Sequence, residues 1–212
     1  FKKNSGKKEI FDESISIEAK DKSPEKEMKK ETGKEVEIKT ENHRVLLERY
    51  DQRLKDLDPE LITPGDEIAL KEAFIHAKET FEPEELVSWF TVKAEPFYRS
   101  VSWKVLLPFY EELLGIVEEK PGPESSETAY VLNGLAGIYR YMGNYEEALG
   151  LFLRALKIRE NLPDQPRPET GDTLSELGIL YALMDRREEA LSFYTRALET
   201  QKKFLNPKNL GV

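Results

Sequence analysis

The sequence predicts an all-α protein, a solenoid of antiparallel helix pairs, and three observations carry that prediction. Apolar residues recur with a helical period from residue 43 onward. The pattern falls on itself when the chain is shifted by 42 residues, as from Tyr145 to Arg187. Finally, 34% of the 212 residues are charged, and the Ile, Val and Thr runs of a parallel-sheet core are missing.

The elements follow in order. Residues 1–41 hold 11 Lys and 11 acidic residues with few, isolated apolar side chains. Such a segment buries too little surface to offset its ordering entropy. It reads as a flexible charged tail or linker; the alternative is an extended segment, around Ile15, Ile17, Val36 and Ile38, docked on the fold or a partner. Val45, Leu46, Tyr50, Leu54 and Leu57 then mark a first helix, and Ile68, Leu70, Ala73, Phe74 and Ala77 a second, with Pro64 suited to its first turn. Residues 42–82 form a helical cap or degenerate helix pair. Pro83 with Glu84 and Glu85 opens a third helix, since negative charge suits a helix start. A fourth spans about 101–119, and four more are expected at 128–141, 145–160, 170–184 and 187–204. Pro96 and Pro108 are expected to end, bend or kink helices three and four.

The 42-residue register covers many positions at once. Leu132, Leu135, Ile138 and Tyr139 meet Leu174, Leu177, Leu180 and Tyr181; Ala148, Phe152 and Ala155 meet Ala190, Tyr194 and Ala197. Leu106, Tyr110 and Leu113 precede Ala148, Phe152 and Ala155 by the same step, so 83–120 reads as a degenerate unit before the clear units 128–160 and 170–204. Gly143 supplies a tight turn where positive φ is needed. Asp185 holds that position in the next unit, with a looser turn expected. Ala148 and Ala190 are read as small residues where paired helices approach, and Ala155 and Ala197 as doing the same against the following unit. One pair cannot bury its apolar face alone, so neighbouring pairs must stack.

On these residues the stretches 129–156 and 171–198 resemble tetratricopeptide repeats. Leu135-Ala136, Tyr139, Gly143, Tyr145, Ala148, Phe152 and Ala155 match the first copy; Leu177-Gly178, Tyr181, Ala190, Tyr194 and Ala197 match the second. The wide spacing, with Ala-Leu-Lys-Ile-Arg-Glu at 155–160, is similar to the longer-helix variety of kinesin light chains, although Gln165-Pro166 stands where those carry His-Pro. The resemblance implies a right-handed superhelical solenoid over 83–212 and a non-enzymatic scaffold or adaptor that binds a protein segment on its concave face. The alternative is a structural subunit of a larger assembly that uses its convex face or solenoid end.

Composition narrows the other classes. A net charge of -9 disfavours nucleic acid, which needs a basic stripe. There is no cysteine and only two histidines, His43 and His76, which removes thiol nucleophiles and histidine-rich metal sites. The Glu pairs at 146–147 and 188–189 start helices and do not face one another. No catalytic residue, metal site or cofactor is expected. No window suits a membrane span, so membrane contact requires an anchor or partner outside this chain. The expected compartment is the cytoplasm, with an organelle-tethered or membrane-tethered adaptor as the alternative.

The resemblance also assigns the outward positions of the first helices. The binding candidates are Tyr98, Arg99, Tyr130, Asn133, Gly137, Arg140, Tyr141, Ser175 and Glu176. Asn133 suits a peptide backbone, Arg140 suits a carboxylate, and the tyrosines offer rigid amphipathic contact. Gly134 and Gly137 are read as room for a backbone to approach. Self-association through an exposed solenoid end is also expected to be open to this chain.

Overall fold

Helix-start chemistry sets most of the element boundaries. The computed structural model of the chain describes residues 42–163 and 167–205, and the expectations for the 1–41 tail lie outside the described residues. Eight α-helices follow one another, with no strand among the described residues: α1 (42–53), α2 (Pro64–Lys78), α3 (Pro83–Arg99), α4 (Trp103–Glu119), α5 (Ser126–Tyr141), α6 (Tyr145–Asn161), α7 (Pro168–Leu183) and α8 (Arg187–Phe204). Pro64, Pro83 and Pro168 each occupy the first helical turn, where no backbone donor is lost. At α5 the Ser125 hydroxyl accepts from the Thr128 N–H at 3.1 Å. Helices α5 and α7 therefore begin two residues before the expected 128 and 170, because their caps precede the apolar pattern. At α2 the Asp66 carboxylate accepts from the Thr63 N–H at 3.0 Å, the Thr63 hydroxyl at 2.6 Å and Arg53 Nε at 3.2 Å. These contacts, the Thr63 hydroxyl first, hold the Asp66 carboxyl below the ordinary aspartate range. Neither Pro96 nor Pro108 ends its helix; both lie inside, contrary to a break at 96.

One turn recurs through the repeats. After α5, Asn144 N–H reaches back to the Tyr139 carbonyl at 2.9 Å; after α7, Arg186 N–H reaches Tyr181 at 2.9 Å. After α3, Ser102 N–H reaches Phe97 at 3.1 Å. The residue before each of these donors is left-handed: Val101 at φ 64°, Gly143 at 82° and Asp185 at 57°. The turn at Asp185 is not looser than the glycine turn. Its six-residue closure is the same, because aspartate tolerates the left-handed region better than most side chains.

The core is built of linked clusters. Leu70, Phe74, Phe90, Phe97, Leu106 and Leu113 belong to the first, which joins α1–α5. Phe152, Leu156, Leu174, Leu177 and Tyr181 belong to the second, which joins α5–α8. Ala129, Leu132, Ala155 and Ile158 form the third. Ala155 thus closes its own pair, α5 against α6, rather than facing the following unit. Ala197 does likewise: a Cβ added at Gly171 on α7 would lie 3.8 Å from the Ala197 carbonyl. The sequence register had identified these small positions correctly and misassigned the helix they face. Gly178 has the Tyr194 ring over it, so the small-residue position next to Leu177 is a close approach of α7 and α8.

Second helices are tied by repeated ion pairs. Glu118 on α4 meets Arg154 on α6 at 2.5 Å, and Glu160 on α6 meets Arg196 on α8 at 2.5 Å. Both members of the second pair lie 42 positions after those of the first.

Candidate binding groove

The first helices α3, α5 and α7 converge on a cleft of about 210 Å³. Thr91, Glu95, Tyr98 and Arg99 supply the α3 side, Asn133 and Gly137 the α5 side, and Glu176 the α7 side. Five of the nine expected binding residues therefore meet in one place: Tyr98, Arg99, Asn133, Gly137 and Glu176. Thr91 also borders a neighbouring cleft of about 400 Å³ that contains Tyr130, Ser126, Arg159 and Arg167.

The groove is held by its own side chains. The Asn133 Oδ1 accepts from the Thr173 hydroxyl at 3.0 Å, leaving its Nδ2 donors for a ligand. Arg159 donates to Thr173 Oγ1 and to the Glu169 carbonyl, and burial lowers its pKa from the ordinary guanidinium range. The room at Gly137 is not open. A Cβ there would lie 2.6 Å from the Tyr98 hydroxyl, and the Tyr110 ring occupies the corresponding space over Gly134. Both glycines admit tyrosines of the protein rather than a ligand backbone. Burial pushes the Tyr98 and Tyr110 phenols above their ordinary range, so both are neutral donors at physiological pH.

Arg140 is placed differently from its expected role. Its side chain is 10% exposed, lies 4.2 Å over the Tyr141 ring, and has Nη2 3.1 Å from Glu176 Oε2. Held this way, the guanidinium is already engaged by a carboxylate of its own chain. The ion pair is imperfectly aligned, for Arg140 Nε and Glu176 Oε2 are buried without a hydrogen bond. Tyr141 packs edge-on to Tyr98 at 5.5 Å and stacks on Trp103 at 4.7 Å. Ser175 donates to the Gly171 carbonyl of its own helix at 3.0 Å. Sequence reasoning missed Trp103 and Thr173. Both support expected residues from another helix, and no periodicity within one helix signals that. His43 is half-buried with Nδ1 2.9 Å from His76 Nδ1.

Among the described residues no His, Cys, Asp and Glu cluster suits a metal, and no helix is long and apolar enough to cross a membrane. The fold and groove define a class: a tetratricopeptide-like solenoid of helix pairs. The tetratricopeptide repeat family model matches residues 103–161 and again 127–203. No curated protein matches the sequence at a significant level. Solved structures that align with this chain include MamA, at 18% identity over 74% of this chain and 87% of that one, TM-score 0.39. BtubC (BKLC) from P. vanneervenii aligns at 22% identity over 81% of this chain and 90% of that one, TM-score 0.32. MamA 41-end from Desulfovibrio magneticus RS-1 aligns at 17% over 78% and 96%, TM-score 0.36. The general role that goes with such repeats is protein–protein interaction, and the fold fits a non-enzymatic protein.

Proposed function

We propose that this protein is an adaptor whose first-helix groove binds an extended, neutral or basic segment of another protein. The observation that carries this reading is the Glu176 carboxylate. It lines a cleft shared by α3, α5 and α7, and its Oε2 lies 3.1 Å from Arg140 Nη2 without an aligned hydrogen bond. The Glu176 side chain is 31% exposed, which leaves the carboxylate within reach of a ligand N–H donor. Glu95 on the opposite wall adds a second carboxylate, offset only by its exposed 3.6 Å pair with Arg99. Asn133 Nδ2 is then available to a backbone carbonyl of the segment.

The same electrostatics disfavour an acidic tail. Arg140 is occupied, and Thr91, Asn133 and Ser175 stand where the resemblance to tetratricopeptide co-chaperones would put the lysine of a two-carboxylate clamp. An acidic chaperone-tail peptide should bind no tighter than about 1 mM, or roughly -4 kcal/mol. The 42-residue step supports placing the repeats in the longer-helix variety similar to kinesin light chains, and a cytoplasmic location goes with that reading. Calorimetry with acidic and basic extended peptides tests the proposal at low and high salt. The basic peptide should bind better, lose affinity modestly with salt, and be weakened by Asn133→Ala and Glu95→Lys. Micromolar binding of the acidic peptide, or indifference to both substitutions, refutes it.

A further inference from the structure

The last helix presents an apolar face whose equivalents elsewhere are covered. Tyr194 and Leu198 of α8 are 36% and 56% exposed, whereas Phe152 and Leu156, 42 positions earlier on α6, are 0% and 4% exposed. Leu191 is 68% exposed, against a half-buried Leu149 at the earlier position. What covers Phe152 and Leu156 is known: they share a cluster with Leu174, Leu177 and Tyr181 of α7, and with Ala190 and Ala197 of α8. The α8 face thus repeats the surface on which a helix pair already sits, without such a pair among the described residues.

Charge distinguishes the two surfaces. On α6, Glu160 receives Arg196 of the pair that covers it; on α4, Glu118 receives Arg154. The residue 42 positions after Glu160 is Lys202, exposed on α8. The series therefore changes sign at its last rung. A covering pair of the kind found inside this chain, with arginine in that slot, would face a lysine. One with an acid there would complete the pair.

We infer that the α8 face of Leu191, Tyr194, Leu198 and Lys202 docks an amphipathic helix pair of another protein that carries an acidic residue opposite Lys202. The apolar residues supply the burial, and the lysine selects the partner by the sign of its charge. The α3–α5–α7 groove takes no part, so this inference stands or falls apart from the peptide-binding reading.

The probes are two synthetic helix-turn-helix peptides of sequence 168–204, titrated into the full-length protein and followed by fluorescence anisotropy. Both carry Leu198→Asp, which prevents their own outer faces from stacking. One retains Arg196; the other carries Arg196→Glu. The Arg196→Glu probe should bind at least about fivefold tighter, the scale of an exposed ion pair gained against one repelled. Lys202→Glu in the full-length protein should reverse that preference, and Leu198→Asp there should abolish binding of both probes. Leu198 is exposed, so circular dichroism should show that variant still folded. Equal binding of the two probes, no binding of either, or binding indifferent to Leu198→Asp overturns the inference. Sedimentation of the full-length protein alone adds a further check. A dimer that dissociates with Leu198→Asp assigns the face to a second copy and also overturns it.

Discussion

Two glycines of the clear repeat should respond to the same substitution with opposite signs. Gly143 ends the α5 turn at φ 82°, and Gly150 lies within α6; a Cβ added at either meets nothing within 4 Å. Sterics are thereby removed from the comparison, and only backbone preference remains. At Gly143, alanine must adopt the left-handed region, at a cost of about 1–2 kcal/mol. Loss of glycine's unfolded-state freedom returns about 0.4–1 kcal/mol. The net expectation is a destabilisation of about 1 kcal/mol. At Gly150 the helix already has the geometry that alanine prefers, and Gly150→Ala should stabilise by about 0.8–1 kcal/mol. For a chain of this size each kcal/mol shifts the melting temperature by roughly 2–4 °C. The two variants should bracket the parent in thermal unfolding followed by circular dichroism at 222 nm. A Gly143→Ala variant that melts with or above the parent would show that the recurrent left-handed turn does not constrain the repeat.

Other expectations follow from packing and charge. Ala155→Leu should destabilise by roughly 1–3 kcal/mol in chemical denaturation, because the α5–α6 approach is closed at Ala129 and Leu132. Glu176→Ala should cost more stability than Glu95→Ala, since it leaves the mostly buried Arg140 without its ion-pair partner. The stabilisation supplied by Asp66 is complete above the ordinary aspartate range. It is lost as pH falls through the lowered folded value, so Asp66→Asn should flatten the acid limb of stability below about pH 4. A parallel acid limb in that variant would contradict the capping role.

Legibility in the sequence followed the range of the interaction. Helix periods and the register from Leu132 to Leu174 depend on local spacing, so helices α5–α8 were readable to within about two residues. The left-handed turn at Val101 was not, for a β-branched residue is a poor guide to positive φ even though it falls in register with Gly143 and Asp185. The direction in which Ala155 faces was equally hidden. Period fixes a face on one helix, but the neighbour on that face depends on how pairs stack. In the groove, the family pattern brought Tyr98, Asn133 and Glu176 together. It did not reveal that Arg140 would be consumed by Glu176 and Tyr141, or that Gly137 would be filled by Tyr98. Those outcomes require the lengths of side chains that cross from one helix to the next.

The linked core clusters have a consequence for the order in which the molecule comes apart. Leu114 and Tyr139 each pack against two clusters and Leu151 against all three, so neighbouring segments share residues rather than standing as separate bodies. Helix α8 contributes only Ala190 and Ala197 to the buried set, whereas α5 contributes eight residues. Opening from the carboxyl-terminal side therefore exposes less apolar surface at the first step than at the next. Along α5–α8, amide hydrogen exchange should show a staircase, with α8 the least protected of these, α7 intermediate and α5 closest to global unfolding. Molecules caught on the first tread would display Tyr181 and the Gly178 face of α7 while retaining the α3–α5 scaffold. Spontaneous fraying, rather than complete denaturation, is then the route by which this chain becomes vulnerable to proteases and to unwanted association.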